Sequence, residues 1–351
     1  TGAAPPFWQH DAPGTKAGPA RGGRAAGKEI GDDGAVGVRG GATATSARPG
    51  AVLAALLAAV VLIGGLVAVA VAGLVPAGEA EPEPEARQRV ARLEGRELAA
   101  TIRVVSQNVF HDLDRADTQH DMSRILGRGG VDVVGWQEAH TEHFVALHPR
   151  YRAQGWRTAY FDQAKGSQGD AISWRSDRFA LVSRDAWAMH PGAGPRATQR
   201  PFAARWVTTV LLRHRESGLT VRVVNTHVNH FIETGQRFRR NINARYAKAH
   251  IAWLAERWDT WSGDVVIGTG DYNFDHADDR AARPRGGISR QFEDRAVSSY
   301  EALGLDGVQP TLAGRWVDYV LLARRTLDEQ RAQLAAHRSL GGFRSDHRPL
   351  Q

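Results

Sequence analysis

From Ala51 to Val75 the chain runs for 25 residues without a charged side chain, and Leu53, Leu56, Leu57, Val60, Val61, Leu62, Ile63, Leu66 and Val67 make that run strongly apolar. A bilayer core about 30 Å thick is crossed by about 20 helical residues, so the run is long enough to span one. It is apolar on every face and stands between two polar stretches, which disfavours a buried core helix. A cleavable signal peptide is the competing assignment, because Ala70, Ala72 and Ala77 are small enough to mark a cut. The long preceding stretch and the length of the run exceed that pattern. The expectation is therefore a single transmembrane helix over 51–75 that divides the chain.

On one side, residues 1–50 are rich in Gly, Ala, Pro and Thr, with Phe7 and Trp8 as their only large aromatics. Such a segment cannot bury enough apolar surface to offset the entropy of ordering, and it is expected to be a disordered tail. On the other side, Pro76, Pro82 and Pro84 alternate with Glu79, Glu81, Glu83 and Glu85. That composition predicts an extended acidic linker over 76–97. Arg39 and Arg48 flank one side of the run and Arg87, Arg89 and Arg92 the other, so the positive-inside rule barely discriminates; because Arg48 abuts the run, the expectation is a tail towards the cytoplasm with residues 98–351 outside the membrane.

Composition limits the chemistry of the remaining region. The chain is 42% apolar and 24% charged, which excludes a wholly disordered protein. It contains no cysteine, so disulfides, zinc thiolates, iron–sulfur clusters and thiol nucleophiles are excluded, and any metal must sit on oxygen or imidazole. Residues 1–97 carry ten basic and ten acidic groups, so the net charge of +7 belongs to residues 98–351. A basic domain attracts polyanions, although charge alone assigns no reaction.

From Thr101 onward, short β-branched runs are broken by Gly and Asp. They predict strands at 101–106, 131–136, 171–175, 179–183, 205–214, 219–226, 264–269 and 315–322. Ser217 and Gly218 predict a hairpin turn, and Ile242, Tyr246, Ala249 and Trp253 form one stripe of a helix over 241–258. The Gly-, Pro- and Arg-containing stretch 185–205 reads as a basic loop.

Several strands end in polar residues that a core strand does not need. These are Ser106-Gln107-Asn108, Trp136-Gln137-Glu138, Asn225-Thr226-His227 and Gly270-Asp271-Tyr272-Asn273, and the chain closes on Ser345-Asp346-His347-Arg348-Pro349. Singly, each is an ordinary turn or surface feature. In this order, and with Trp316-Val317-Asp318-Tyr319-Val320 before the last of them, they resemble the endonuclease/exonuclease/phosphatase superfamily across about residues 101–350.

The resemblance implies an α/β fold in which a two-sheet β-sandwich is flanked by helices, as four α/β/β/α layers. It implies a metal-dependent phosphoric ester hydrolase using Mg²⁺, with Mn²⁺ or Ca²⁺ as alternatives, held by Asn108, Glu138 and Asp346. Asp271 would accept a proton from the attacking water, and Asn273 would donate to a phosphoryl oxygen. His227 and His347 would stabilise developing charge, with Asp318 orienting His347. Such roles suit the chemistry, since phosphate esters need a hard cation and a positioned proton acceptor. The Asn-Thr-His context of His227 resembles the deoxyribonuclease-I-like and sphingomyelinase branches, whereas abasic-site enzymes generally place a tyrosine there. The resulting expectation is a membrane-anchored phosphodiesterase, with a nuclease first and a sphingomyelinase-like lipid phosphodiesterase second. An idle polyanion-binding protein is the alternative from another class. Relatives generally continue into a closing strand, so either that strand is very short here or the sequence stops before it. His111 and Asp112 follow Asn108 closely and are read as a polar loop beside the site.

Overall fold

The protein is described by a computed structural model covering residues 100–127, 129–161 and 167–351. The expected tail, apolar span and acidic linker lie outside the described residues. Among the described residues, no helix is long and apolar enough to cross a membrane.

Two mixed sheets carry the fold. The first has four strands, β1 (Val104–Asn108), β2 (Val133–Gln137), β3 (Trp156–Ala159) and β4 (Ile172–Arg175), in the order β1-β2-β4-β3. The second has six, β5 (Phe179–His190), β6 (Arg205–His214), β7 (Thr220–His227), β8 (Val265–Asp271), β9 (Ala296–Ser298) and β10 (Asp318–Ala323), in the order β5-β6-β7-β8-β10-β9. Fully buried runs such as Val265–Asp271 and Asp318–Ala323 read as continuous rather than alternating because both of their faces are covered.

Helices α1 (Arg115–Leu126) and α2 (Glu142–Arg152) join a cluster in which Met122, Ile125, Phe144 and Leu147 pack with Val105, Val134 and Trp136 of the first sheet. Helix α3 (Ile242–Trp258) contributes Ile251, Leu254 and Trp258 to the larger core with β6, β7, β8 and β10. Each of the three is started by a side chain that accepts a backbone N–H: Asp114 from Asp117, Thr141 from Phe144 and Asn241 from Ala244. Shorter helices α4 (His276–Ala282), α5 (Ile288–Gln291), α6 (Ser299–Leu303) and α7 (Arg324–Asp328), with a 3-10 turn at Ser167–Asp170, complete the described elements. The outcome is an α/β sandwich of two mixed sheets flanked by helices, as the motif order implied.

The sheets meet through a polar seam. Gln137 Nε2 donates to Asn225 Oδ1 at 2.8 Å, Asn225 Nδ2 donates to the Trp136 carbonyl at 2.7 Å, and the Gly270 N–H donates to Ser106 Oγ at 3.0 Å. A Cβ at Gly135 would lie 1.9 Å from Thr269 Oγ1, so glycine is what permits the approach.

Strand pairing sets the position of the site. Strands β1 and β2 are parallel, as are β7 and β8, so the carboxyl ends of each pair emerge together. His227 is in register with Asp271 on the parallel side, and Asp318, the first residue of antiparallel β10, is in register with Asp271 on the other. The last residues fold back on β1, where Leu350 and Ser106 exchange backbone hydrogen bonds of 2.9 and 3.0 Å. Leu350 also forms an antiparallel bridge with Ser339, and His347 one with Leu312.

One reading of local structure changes. The expected loop over 185–205 is shorter, because β5 continues to His190 through two register shifts and β6 begins at Arg205. Trp258 and Trp261 are buried, and Trp253 packs against the core.

Candidate active site

Asp271 is the centre of the site. It ends β8, is fully buried, and accepts hydrogen bonds from Asn108 Nδ2 at 3.1 Å, Asn273 Nδ2 at 3.1 Å and the Asn273 backbone N–H at 2.8 Å. His227 Nε2 lies 3.3 Å from the same carboxylate and His347 Nε2 lies 3.7 Å from it. His347 Nδ1 meets Asp318 Oδ2 at 2.7 Å, the orienting contact inferred from the Trp-Val-Asp-Tyr-Val segment. All five residues assigned to the reaction therefore converge on one point.

The electrostatics follow from this crowding. Burial alone would raise the Asp271 carboxyl, but the His347 and His227 charges and the Asn273 donor hold it below the ordinary range. Burial opposes charge on His347 too, yet Asp318 and Asp271 outweigh it and push the imidazole up to about 10. Asp318, buried and facing Asp271, is raised, with His347 acting in the opposite sense. The arrangement favours an ionised Asp271 beside an imidazolium at His347.

Glu138 and Asn273 both occupy left-handed backbone, with φ of +59° and +52°. Non-glycine residues are uncommon there, and each costs about 1–3 kcal/mol unless its surroundings hold it. Here the strain turns both side chains toward Asp271 and Asn108. Glu138 Oε1 accepts from Asn108 Nδ2 at 3.3 Å, while Oε2 accepts the His111 N–H at 3.0 Å. Burial would raise the Glu138 carboxyl, but His227 and the donors of His111 hold it well below the usual carboxylate range.

Asp346 sits on the turn that also carries His347. Asp121 of α1 anchors that turn by accepting the Arg344 and Ser345 N–H groups at 2.8 Å each, and Ser345 Oγ donates to the Asn108 carbonyl at 2.7 Å. Burial, and then the facing Glu138 and Asp271, raise the Asp346 carboxyl against the opposing His347. Mutual repulsion of this kind is what a bound divalent cation relieves, so Asn108, Glu138 and Asp346 fit a hard-cation site. Asp271, Asp318 and His347 also place ligand atoms within 4.8 Å of one another. Contacts with Asp318 Oδ2 at 2.7 Å and Asp271 Oδ2 at 3.7 Å already engage both nitrogens of His347.

One charged group near the site was only loosely legible. Arg205, read as part of a basic loop, opens β6, and its charge acts on buried Asp170, on Glu138 and on Asp271. Its Nε has no hydrogen-bond partner. The acidic residues after Asn273 are structural: Asp275 caps α4 and also accepts the Trp316 N–H at 2.8 Å, and Asp279 accepts from Ser289.

No protein-family model and no curated protein matches the chain. Solved structures do resemble it. A humanized TDP2 from D. rerio aligns at 16% identity with a TM-score of 0.53, over 71% of this chain and 96% of that one. D. rerio TDP2 complexed with a single strand DNA product gives 16% identity and a TM-score of 0.52 over the same shares. An endonuclease/exonuclease/phosphatase from Bacteroides vulgatus gives 14% and 0.51, again over 71% and 96%. The described domain has the endonuclease/exonuclease/phosphatase superfamily fold, related to that of deoxyribonuclease I.

Proposed function

We propose that the protein is a metal-dependent phosphoesterase that cleaves phosphodiesters by water attack, with nucleic acid as its substrate. The observation carrying this reading is the buried Asp271 carboxylate, flanked by two imidazoles and two amides beside the Glu138 and Asp346 carboxylates. Asn108, Glu138 and Asp346 would hold a divalent cation, Mg²⁺ in the first instance, which would supply positive charge against the phosphate oxygens. Asp271 accepts the proton of the attacking water and stays ionised at neutral pH because of its donors. Asn273 Nδ2 and His227 face the same carboxylate and can donate to a phosphoryl oxygen displacing that contact. His347, held through Nδ1 by Asp318, presents Nε2 as a proton donor to the leaving oxygen.

Nucleic acid is favoured over other phosphodiesters by the net charge of +7 and by the single strand DNA product in the D. rerio TDP2 structure. The uncharged run over 51–75 supports a single-pass anchor, with the catalytic domain outside the membrane. Protease added to intact cells then removes the domain, and protection until lysis would reverse that orientation. The activity is tested with the full chain against plasmid DNA, RNA, sphingomyelin and inositol phosphates, with Mg²⁺, Mn²⁺, Ca²⁺ or excess chelator. Nucleic acid cleavage that chelation abolishes and Mg²⁺ restores is expected. Undiminished cleavage in chelator overturns the mechanism, and turnover of sphingomyelin alone overturns the substrate.

A further inference from the structure

Two loops at the site's end of the second sheet carry arginines that the reaction does not use. Val207 is in register with Thr226, so loop 191–204, which leads into β6, and loop 228–241, which follows His227, emerge beside the site. Arg196, Arg200, Arg237 and Arg240 on these loops are exposed, as is Arg245 in the first turn of α3. None of the five makes an ion pair among the described residues. Between Asp185 and Glu256 the acidic residues are Glu216, in the β6–β7 turn at the far end, and Glu233. Glu233 is already engaged. It is in direct contact with Arg315 and accepts the Asp275 N–H at 3.1 and 3.2 Å, while Arg315 donates to the Asn273 carbonyl at 3.2 Å. The hairpin closed by the Glu233–Phe238 bridge is thereby fixed to the Asn273 backbone. Asn243, fully buried, ties this loop to the other: its Nδ2 donates to the Arg200 and His230 carbonyls at 3.0 Å each, and its Oδ1 accepts from Thr198 Oγ1 at 2.6 Å.

A solvated face ordinarily intersperses both signs of charge, and this one does not. Guanidinium groups bind phosphate through paired N–H donors, and several on cross-linked loops suit successive phosphates rather than one. Resting on the phosphoesterase reading, we propose that loops 191–204 and 228–241 form a shelf that holds the phosphate backbone of a nucleic acid strand next to the scissile phosphate, on the His227 and Asn273 side of the site. A membrane surface is the other polyanion that such a face could meet. Interfacial binding adds buried apolar side chains to the electrostatic attraction, and the exposed large hydrophobics among the described residues, Val145, Leu181 and Val182, lie on neither loop.

The full chain, in excess chelator, is titrated with fluorescein-labelled single-stranded DNA over a series of salt concentrations. A variant carrying Arg196→Gln, Arg200→Gln, Arg237→Gln and Arg240→Gln should bind about tenfold or more weakly, and its slope of log affinity against log salt should flatten by about 0.7 for each phosphate contact removed. A control variant carries Arg103→Gln, Arg150→Gln, Arg152→Gln and Arg213→Gln, which remove the same charge. Those four are exposed; Arg103 precedes β1 and Arg213 pairs with the start of β7, both away from the site, and Arg150 and Arg152 end α2. The control should bind as wild type does. Equal losses in the two variants overturn the inference, because net charge then accounts for the binding. Loss of binding to phosphatidylserine vesicles with DNA binding retained overturns it in favour of a membrane. Cleavage of the same DNA with Mg²⁺ separates the two claims. If the shelf variant binds DNA with wild-type affinity and slope while wild type cleaves it, the inference alone falls. If wild type neither binds nor cleaves DNA, the proposed nuclease falls with it.

Discussion

Gly135 lies in β2 where the two sheets approach, and substituting it tests whether the polar seam holds the site together. An ideal Cβ there would be 1.9 Å from Thr269 Oγ1 and 2.7 Å from Asn225 Oδ1, against an ordinary contact of at least 3.4 Å. Thr269 and Asn225 are both fully buried, and Thr269 Oγ1 donates to Asn225 Oδ1 at 3.0 Å. Gly135→Ala must therefore part the sheets or swing Thr269 aside. Overpacking costs about 1–3 kcal/mol, and a buried polar group left unsatisfied costs about 1–3 kcal/mol more, so a loss of about 2–6 kcal/mol is expected. Urea denaturation measures it. Turnover should fall as well, because Gln137, Asn225 and Thr269 immediately precede the segments that carry Glu138, His227 and Asp271. Thr269→Ala removes the hydroxyl that the new methyl meets, so the double variant should be more stable than Gly135→Ala alone. A Gly135→Ala protein within about 0.5 kcal/mol of wild type, the range of an ordinary surface change, would refute the reasoning. A Thr269→Ala change that adds its own full cost to the defect would do the same.

The Asp318–His347 contact predicts non-additive kinetics. Asp318→Asn should lower kcat less than His347→Ala, and the double variant should be little worse than His347→Ala, because groups acting as a unit do not lose independently. Multiplicative losses would show that the contact has no functional meaning. His190 gives a pH test of stability away from the proposed metal site. Burial, reinforced by Arg205, lowers its pKa from 6.5 to about 4. Between those values the unfolded chain binds the extra proton, so the contribution is present above pH 6.5 and is lost as pH falls toward 4. One proton corresponds to about 1.4 kcal/mol per pH unit. His190→Phe keeps a ring against Tyr246 and should make stability fall less steeply across that window by about this slope. Parallel curves for the two proteins would contradict it.

The sandwich and most of its site were legible because the residues that carry them lie at strand ends. Apolar β-branched runs mark β1, β2, β7 and β8, and each stops in a polar group that its core has no reason to include. Strand β6 matches the expected 205–214 because its run is long and uninterrupted. Helices α1 and α2 were not anticipated. The first is largely polar, with its apolar burial concentrated in Met122, Ile125 and Leu126, and the second carries Pro149 in its last turn. Strands β3 and β9 are four and three residues long, too short for periodicity to register, and exist through their pairing with β4 and β10. The contacts that make the site a unit were also hidden. Nothing in the local sequence shows that Asp121 anchors the turn before His347, or that His111 reaches Glu138 across the gap between two strand ends.

In the proposed reaction Asp271 receives the proton of the attacking water, and Asp271→Asn measures this directly. The amide keeps the shape and hydrogen-bonding capacity of the carboxylate while removing its ability to take a proton. With metal at saturation and circular dichroism matching wild type, kcat for plasmid cleavage should fall by about 10² or more while metal and substrate affinity change little. A kcat close to that of wild type, with fold and metal intact, would contradict the account.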